Sequence, residues 1–188
     1  MTPTPLAIKG LALLAERPMH PYEMYQLMLE RHEDRFVKVR PGSLYHAVER
    51  LHADELVEAT GTEREGNRPE RTTYAITAKG RAAVTARVRE LISQPVREFP
   101  HFPLALSEAH NIPVEDATAD LRQYVEALDA DITDIDTLLR TARQAGKEET
   151  YLMGADYLLT ISIAQRDWIQ QLLTRLEHKE FTWQPHAG

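Results

Sequence analysis

The chain has 188 residues, 43% of them hydrophobic, with 22 Lys and Arg against 29 Asp and Glu and a formal net charge of −7. That length suits one domain or two small ones, and the absence of cysteine excludes disulfides, thiolate metal sites and cysteine nucleophiles. The apolar run near the N-terminus, LAIKGLALLAERP, is too short and too interrupted to span a membrane or to act as a signal peptide, so a cytoplasmic protein is expected.

Leu6, Leu11 and Leu14 stand at near-helical spacing and predict a first, largely buried helix that stops at Pro18. Pro21 occupies a helix-start position, and Tyr22, Met24, Tyr25, Leu27 and Met28 follow before the charged ERHEDR. Pro41 and Gly42 break the chain again. Ser43 is an N-cap type, and Leu44, Val48 and Leu51 repeat at i, i+4 and i+7 with Ala47 beside them, predicting a third, short amphipathic helix. ELVEAT and TTYAIT are two β-prone runs around the polar GTEREGNRPER, which predicts a hairpin with a long tip. A helical pattern returns after Thr77, with Ala82, Val84, Val88, Leu91 and Ile92 as a loose apolar face. Three helices, a two-stranded wing and a closing helix make a winged helix-turn-helix, a motif that places one helix in the DNA major groove.

QPVREFPHFP, Gln94 to Pro103, has three prolines and cannot continue a helix; it sets a boundary between residues 1–95 and 96–188. Beyond it Val114, Thr118, Leu121, Val125, Leu128, Ile132, Ile135, Leu139 and Ala142 keep a heptad pattern, with Gly146 as the stop. Such a helix spans about 50 Å and needs partners. A second long helix, about Glu148 to His178, has an apolar face too broad for one seam: Leu152, Ala155, Leu158, Leu159, Ile163, Ile169, Leu172, Leu173 and Leu176. One part can cover the preceding helix in an antiparallel hairpin, and the rest can meet a second copy, giving a two-fold homodimer. Leu121, Val125, Leu128, Ile132, Leu158, Ile169 and Leu172 are the expected dimerisation residues. The fold class is mainly α: a winged helix-turn-helix followed by a long-helix dimerisation domain. Whether the tail HKEFTWQPHAG, with Phe181 and Trp183, docks is left open.

The negative net charge argues against a polyanionic partner, but its distribution does not. Residues 1–90 carry 14 Lys and Arg against 13 Asp and Glu, and the remainder 8 against 16. Around the third helix Arg35, Lys38, Arg40 and Arg50 face only Glu49. A helix in the major groove presents its first turns to base edges and phosphates, so Ser43, Tyr45, His46 and Arg50 are expected at DNA, with Lys38 and Arg40 close by. Tyr45 could equally be an aromatic packed on the next helix. In the hairpin tip Arg64, Asn67, Arg68 and Arg71 are candidates for the minor groove, although Glu63, Glu65 and Glu70 cancel the arginines and a solvated tip with self-paired charges explains the same residues.

PGSLYHAVERLHADELVEAT, followed by GNRPERTTYAITAKGRAAV, resembles the PadR family of bacterial transcriptional regulators. That family's pattern runs from a Ser/Thr-Leu-Tyr helix through a Gly-Arg-Pro-Arg type wing to a Tyr-x-Leu-Thr-x-x-Gly closure, and the resemblance covers about residues 5 to 90. HPYEMYQLM is similar to the family's Gly-Tyr-Glu segment with Pro21 where glycine is usual, and Glu70 stands at a usually basic wing position. The half after Pro103 resembles the helical dimerisation domain of the longer family members. The resemblance implies that Tyr22, Ser43, Tyr45, Arg68 and Arg71 lie at or near double-stranded DNA. It also implies a small aromatic or drug-like effector bound between the halves or at the dimer interface.

No Gly-x-Ser-x-Gly elbow, phosphate-cradling glycine loop or His-Glu-x-x-His pair occurs, so no catalytic residues and no cofactor are expected. His46 and His52, six apart, point to different helix faces, and no metal site is expected. Tyr124, Tyr151, Tyr157 and Trp168 either line an effector pocket or belong to the core. The resulting expectation is a dimeric repressor that binds an inverted-repeat operator and is released by an effector. The alternative is a winged-helix adaptor that binds protein and not DNA.

Overall fold

The computed structural model describes residues 2–63 and 71–183, in two compact units, Met1–Arg97 and Glu98–Gly188. In the first unit α1 (Pro5–Glu16) and α2 (Pro21–Glu30) both open on proline, whose missing N–H is no loss in a first turn. Thr4 Oγ1 caps α1 by accepting from the Ala7 amide at 3.3 Å. α3 (Pro41–Ala53) starts the same way, which corrects one expectation: Pro41 takes the first helical position, Arg40 stands at the cap without a side-chain hydrogen bond, and Ser43 lies inside the first turn. Proline's fixed φ sets the helix start two residues ahead of the serine.

β1 (Val57–Glu63) and β2 (Arg71–Ile76) pair antiparallel from Val57 opposite Ile76 to Glu63 opposite Arg71, with an irregularity between Ala59 and Gly61. Met19, between α1 and α2, exchanges two 3.1 Å backbone hydrogen bonds with Tyr74 and so ties the helix-turn-helix to the hairpin. Leu11, Leu14, Met19, Met24, Met28, Leu44, Val48, Leu51 and Val57 form the core these elements enclose; each such burial contributes roughly 1.5–3 kcal/mol. Leu6 is only partly buried, and Leu13 joins the core in addition.

α4 (Ala78–Ser93) is pinned at its start. Thr77 Oγ1 accepts from the Gly80 amide at 3.0 Å and lies 2.8 Å from the Glu55 carbonyl. The loose apolar face expected along this helix is only partly used: Val84 is half-buried, whereas Ala82, Val88, Leu91 and Ile92 are exposed. The tight approach at Gly80 seats only the first turns of the helix on the core.

In the second unit the proline-rich stretch is non-helical only through Pro100. α5 (His101–Ser107) begins there and carries Pro103 at its third position, since a proline in a first turn breaks no intrahelical bond. α6 (Val114–Gln144) ends at Gly146, whose φ of +76° is the left-handed conformation favoured after a helix. A 3₁₀ turn, Glu149–Tyr151, leads into α7 (Met153–Glu177), which returns antiparallel along α6. Two apolar clusters hold the hairpin: Leu121, Val125, Ile169 and Leu173 at one end, Ile135, Leu139 and Leu152 at the other. Between them Arg166 reaches across to Asp129 at 3.1 Å.

Candidate nucleic-acid interface

α3 divides cleanly into two sides. Leu44, Ala47, Val48 and Leu51 are buried, and Ser43, Tyr45, His46, Glu49 and Arg50 are exposed. At about 100° per residue, His46 and Glu49 lie opposite the buried side, Ser43 and Arg50 on one flank and Tyr45 on the other. The exposed arc is therefore about 160° wide. Its centre suits contact with base edges and its flanks suit contact with the two phosphate walls of a groove. Glu49, which the sequence reading did not place in the site, holds the centre with His46, whose Nδ1 lies 3.2 Å from its carboxylate. A glutamate there can accept from a cytosine amino group.

The Tyr45 flank is built from three elements. His20, the residue before α2, accepts the Tyr22 amide on Nδ1 at 3.0 Å, and its ring meets Tyr45 edge-on at 5.8 Å. Burial, reinforced by the charge of Arg71 at the start of β2, holds His20 below the ordinary imidazole range against a smaller opposing pull from Glu23. His20 thus lies where Tyr22, Tyr45 and Arg71 converge, and Tyr22 is 51% exposed beside it. Sequence reading missed His20 because its part in the site is a tertiary one; the only local signal is its place before Pro21, where a side-chain acceptor can cap the helix.

Lys38 and Arg40 are exposed on the segment that leads into α3. Arg50, on the opposite flank, borders a small crevice with Pro3, Thr4 and Asp54 at the start of α1. Arg71 is exposed, whereas Arg64, Asn67 and Arg68 lie outside the described residues. Among the described residues no group of His, Asp or Glu could hold a metal ion, and no helix is long and apolar enough to cross a membrane.

The residues expected at a dimer seam line the hairpin's own interior. Ile169 is fully buried and Leu121 and Val125 are buried within the chain, while Leu128, Leu158 and Leu172 pack against the same two clusters and Ile132 is half-buried on α6. The apolar surface left outside is on another side of α7: Tyr157, Ile161, Ala164 and Trp168, spaced i, i+4, i+7 and i+11 and all exposed, Tyr157 to 65%. Of the aromatics considered for an effector pocket, Tyr151, Tyr157 and Trp168 are on the surface. Tyr124 borders a cavity of about 480 Å³ between α5, α6 and the tail. The tail docks there, with Trp183 Nε1 donating to the Ile112 carbonyl at 3.0 Å.

Helices, hairpin and closing helix in this order define a winged helix, the fold of many transcriptional regulators. Residues 11–86 match the transcriptional regulator PadR-like family. No curated protein sequence matches significantly. Among solved structures, PadR of Bacillus subtilis in complex with operator DNA is similar at 15% identity and a TM-score of 0.76 over 90% of this chain and 97% of that one. The same protein in complex with p-coumaric acid is similar at 13% identity and a TM-score of 0.74, over 93% and 99%. The Vibrio cholerae virulence activator AphA is similar at 16% identity and a TM-score of 0.68, over 92% and 98%.

Proposed function

We propose that this PadR-like transcriptional regulator is a cytoplasmic homodimeric repressor that inserts α3 of each protomer into the major groove of an inverted-repeat operator and lets go when a small effector binds. In this reading residues 1–95 bind DNA and residues 96–188 dimerise and receive the effector. The observation that carries it is the two-sided character of α3, apolar and buried on one side, polar and open on the other, entered by Lys38 and Arg40 in a chain whose net charge is −7. The Bacillus subtilis relative, seen with operator DNA and with p-coumaric acid, supports the same reading; AphA, an activator, shares the fold, so repression is the finer part of the proposal.

His46 and Glu49 would face bases, Ser43 and Arg50 one phosphate wall, Tyr22, Tyr45 and Arg71 the other, with Arg64, Asn67 and Arg68 of the wing in the adjacent minor groove. The Tyr157–Trp168 stripe of α7 is the face we assign to the second protomer, because the inner seam is already filled by the chain itself. Half-sites should then be about one helical turn, roughly 34 Å, apart.

Selection of random duplexes by the purified protein tests this. An inverted repeat with that spacing is the expected product, bound with a log–log salt slope of about −0.9 per phosphate neutralised. An adaptor would enrich no sequence and would be indifferent to Arg40→Glu and Arg50→Glu.

A further inference from the structure

We propose that the cavity between α5, α6 and the tail is a binding site for a lipophilic organic cation, an aromatic or quaternary amine. Its volume of about 480 Å³ falls in the range of small-molecule sites, roughly 300–1,000 Å³. Three of its walls are aromatic and held in place. Phe102 stacks on Tyr124 with centroids 4.5 Å apart and an interplanar angle of 27°. Gln165 Nε2 donates to the Tyr124 hydroxyl at 3.2 Å, and the Trp183 indole is fastened by its bond to Ile112. Aromatic faces present negative potential, and an enclosure of several of them selects a cation that is poorly hydrated.

The charged groups point to the same class. Among the described residues Glu108 and Asp120 border the cavity, no Lys or Arg does, and His101 is the single bordering group able to gain a positive charge. Neither carboxylate has an ion-pair partner among the described residues; Glu108 Oε1 accepts from Ser107 Oγ at 3.5 Å and its Oε2 from Asn111 Nδ2 at 3.3 Å, both neutral donors. A ligand cation over the rings would meet two uncompensated carboxylates. A carboxylate ligand such as the p-coumaric acid seen with the Bacillus subtilis protein would meet them as like charges. This site therefore takes the opposite charge class. Binding stands on the cavity alone; its consequence, release of DNA, rests on the repressor reading.

Isothermal titration calorimetry of the full chain without DNA tests it, with benzyltrimethylammonium as cation, 3-phenylpropanol as neutral probe and p-coumarate as anion. The cation is expected to bind at least about tenfold more tightly than the anion, two nearby carboxylates at solvent-like screening giving roughly threefold each. Glu108→Gln with Asp120→Asn should weaken the cation about tenfold and leave the alcohol within about twofold. Should that double variant fail to fold, raising salt from about 0.05 to 0.5 M must weaken the cation and spare the alcohol. Equal or tighter binding of p-coumarate, or cation affinity untouched by both the variant and salt, overturns the proposal. So does cation affinity that falls as protein concentration rises, which would mean that a second copy fills the cavity. Duplex selection reads the regulator function separately, so a failure of either leaves the other measured.

Discussion

Two glycines in the first turns of helices should respond oppositely to alanine. At Gly80 an added Cβ would sit 2.1 Å from the Leu56 carbonyl oxygen and 2.9 Å from Ile76 Cγ1. Contact of that kind needs more than 3 Å, so the start of α4 must withdraw by about 1 Å, and it cannot do so without loosening what fastens it. The Thr77 amide donates to the same Leu56 carbonyl at 3.1 Å, and the Thr77 hydroxyl caps the Gly80 amide at 3.0 Å. Overpacking costs about 1–3 kcal/mol and a weakened cap about 1, against a gain of up to about 1 from alanine's helix propensity. Gly80→Ala should therefore destabilise the first unit by about 3 kcal/mol. For a unit of this size that lowers Tm by about 15 °C. At Gly42 a Cβ would meet nothing within 4 Å, so Gly42→Ala should be neutral or stabilising by up to about 1 kcal/mol. Urea and thermal unfolding followed by circular dichroism measure both. A Gly80→Ala protein within about 0.5 kcal/mol of the parent would refute the close approach.

His20 has its pKa held below the ordinary value of 6.5 by burial and Arg71, so the folded state favours neutral imidazole. The stabilisation is full above about pH 6.5 and is lost as pH falls through the lower folded value. His20→Asn, which keeps a capping side chain, should flatten the stability profile between pH 7.5 and 5 in urea titrations, and an unchanged slope would remove His20 from that role. Ile161→Glu should shift the protein towards monomer in sedimentation measurements while the melting of its own hairpin stays nearly constant; a dimer of undiminished affinity would place the interface elsewhere. Arg40→Glu and Arg50→Glu should each weaken operator binding at least tenfold and flatten its salt dependence by about one phosphate or more, with mobility shift as the readout.

The legible part of this protein was the part governed by local rules. Proline at position 21, the apolar spacing of Leu44, Val48 and Leu51, and the heptads from Val114 to Ala142 are each written within a few residues and place the main helices in order, whereas Pro41, read as a break, opens α3, and α5 starts inside the proline-rich stretch. The Thr77 and Gly80 spacing stood in the sequence only as part of the family resemblance; its reason, a Cβ-free approach to Leu56, belongs to the structure. Burial of α3's apolar side followed, because a single stripe on a short helix has only one core to face.

Tertiary structure decided what a stripe or a side chain faces when more than one partner is available. Both faces of α7 are apolar, and spacing cannot say which meets α6; the chain fills the inner one with Ile169 and Leu173 and leaves Tyr157, Ile161 and Trp168 outside. His20 joined Tyr45 and Arg71 only because the helix-turn-helix and the hairpin fold onto one another through Met19 and Tyr74. Trp183 found Ile112 across 71 positions of sequence, and a cavity edged by Glu108 and Asp120 took shape beneath it. Helix periodicity is a property of neighbours along the chain, whereas cavities, rings in contact and shifted pKa values belong to groups that only folding makes neighbours.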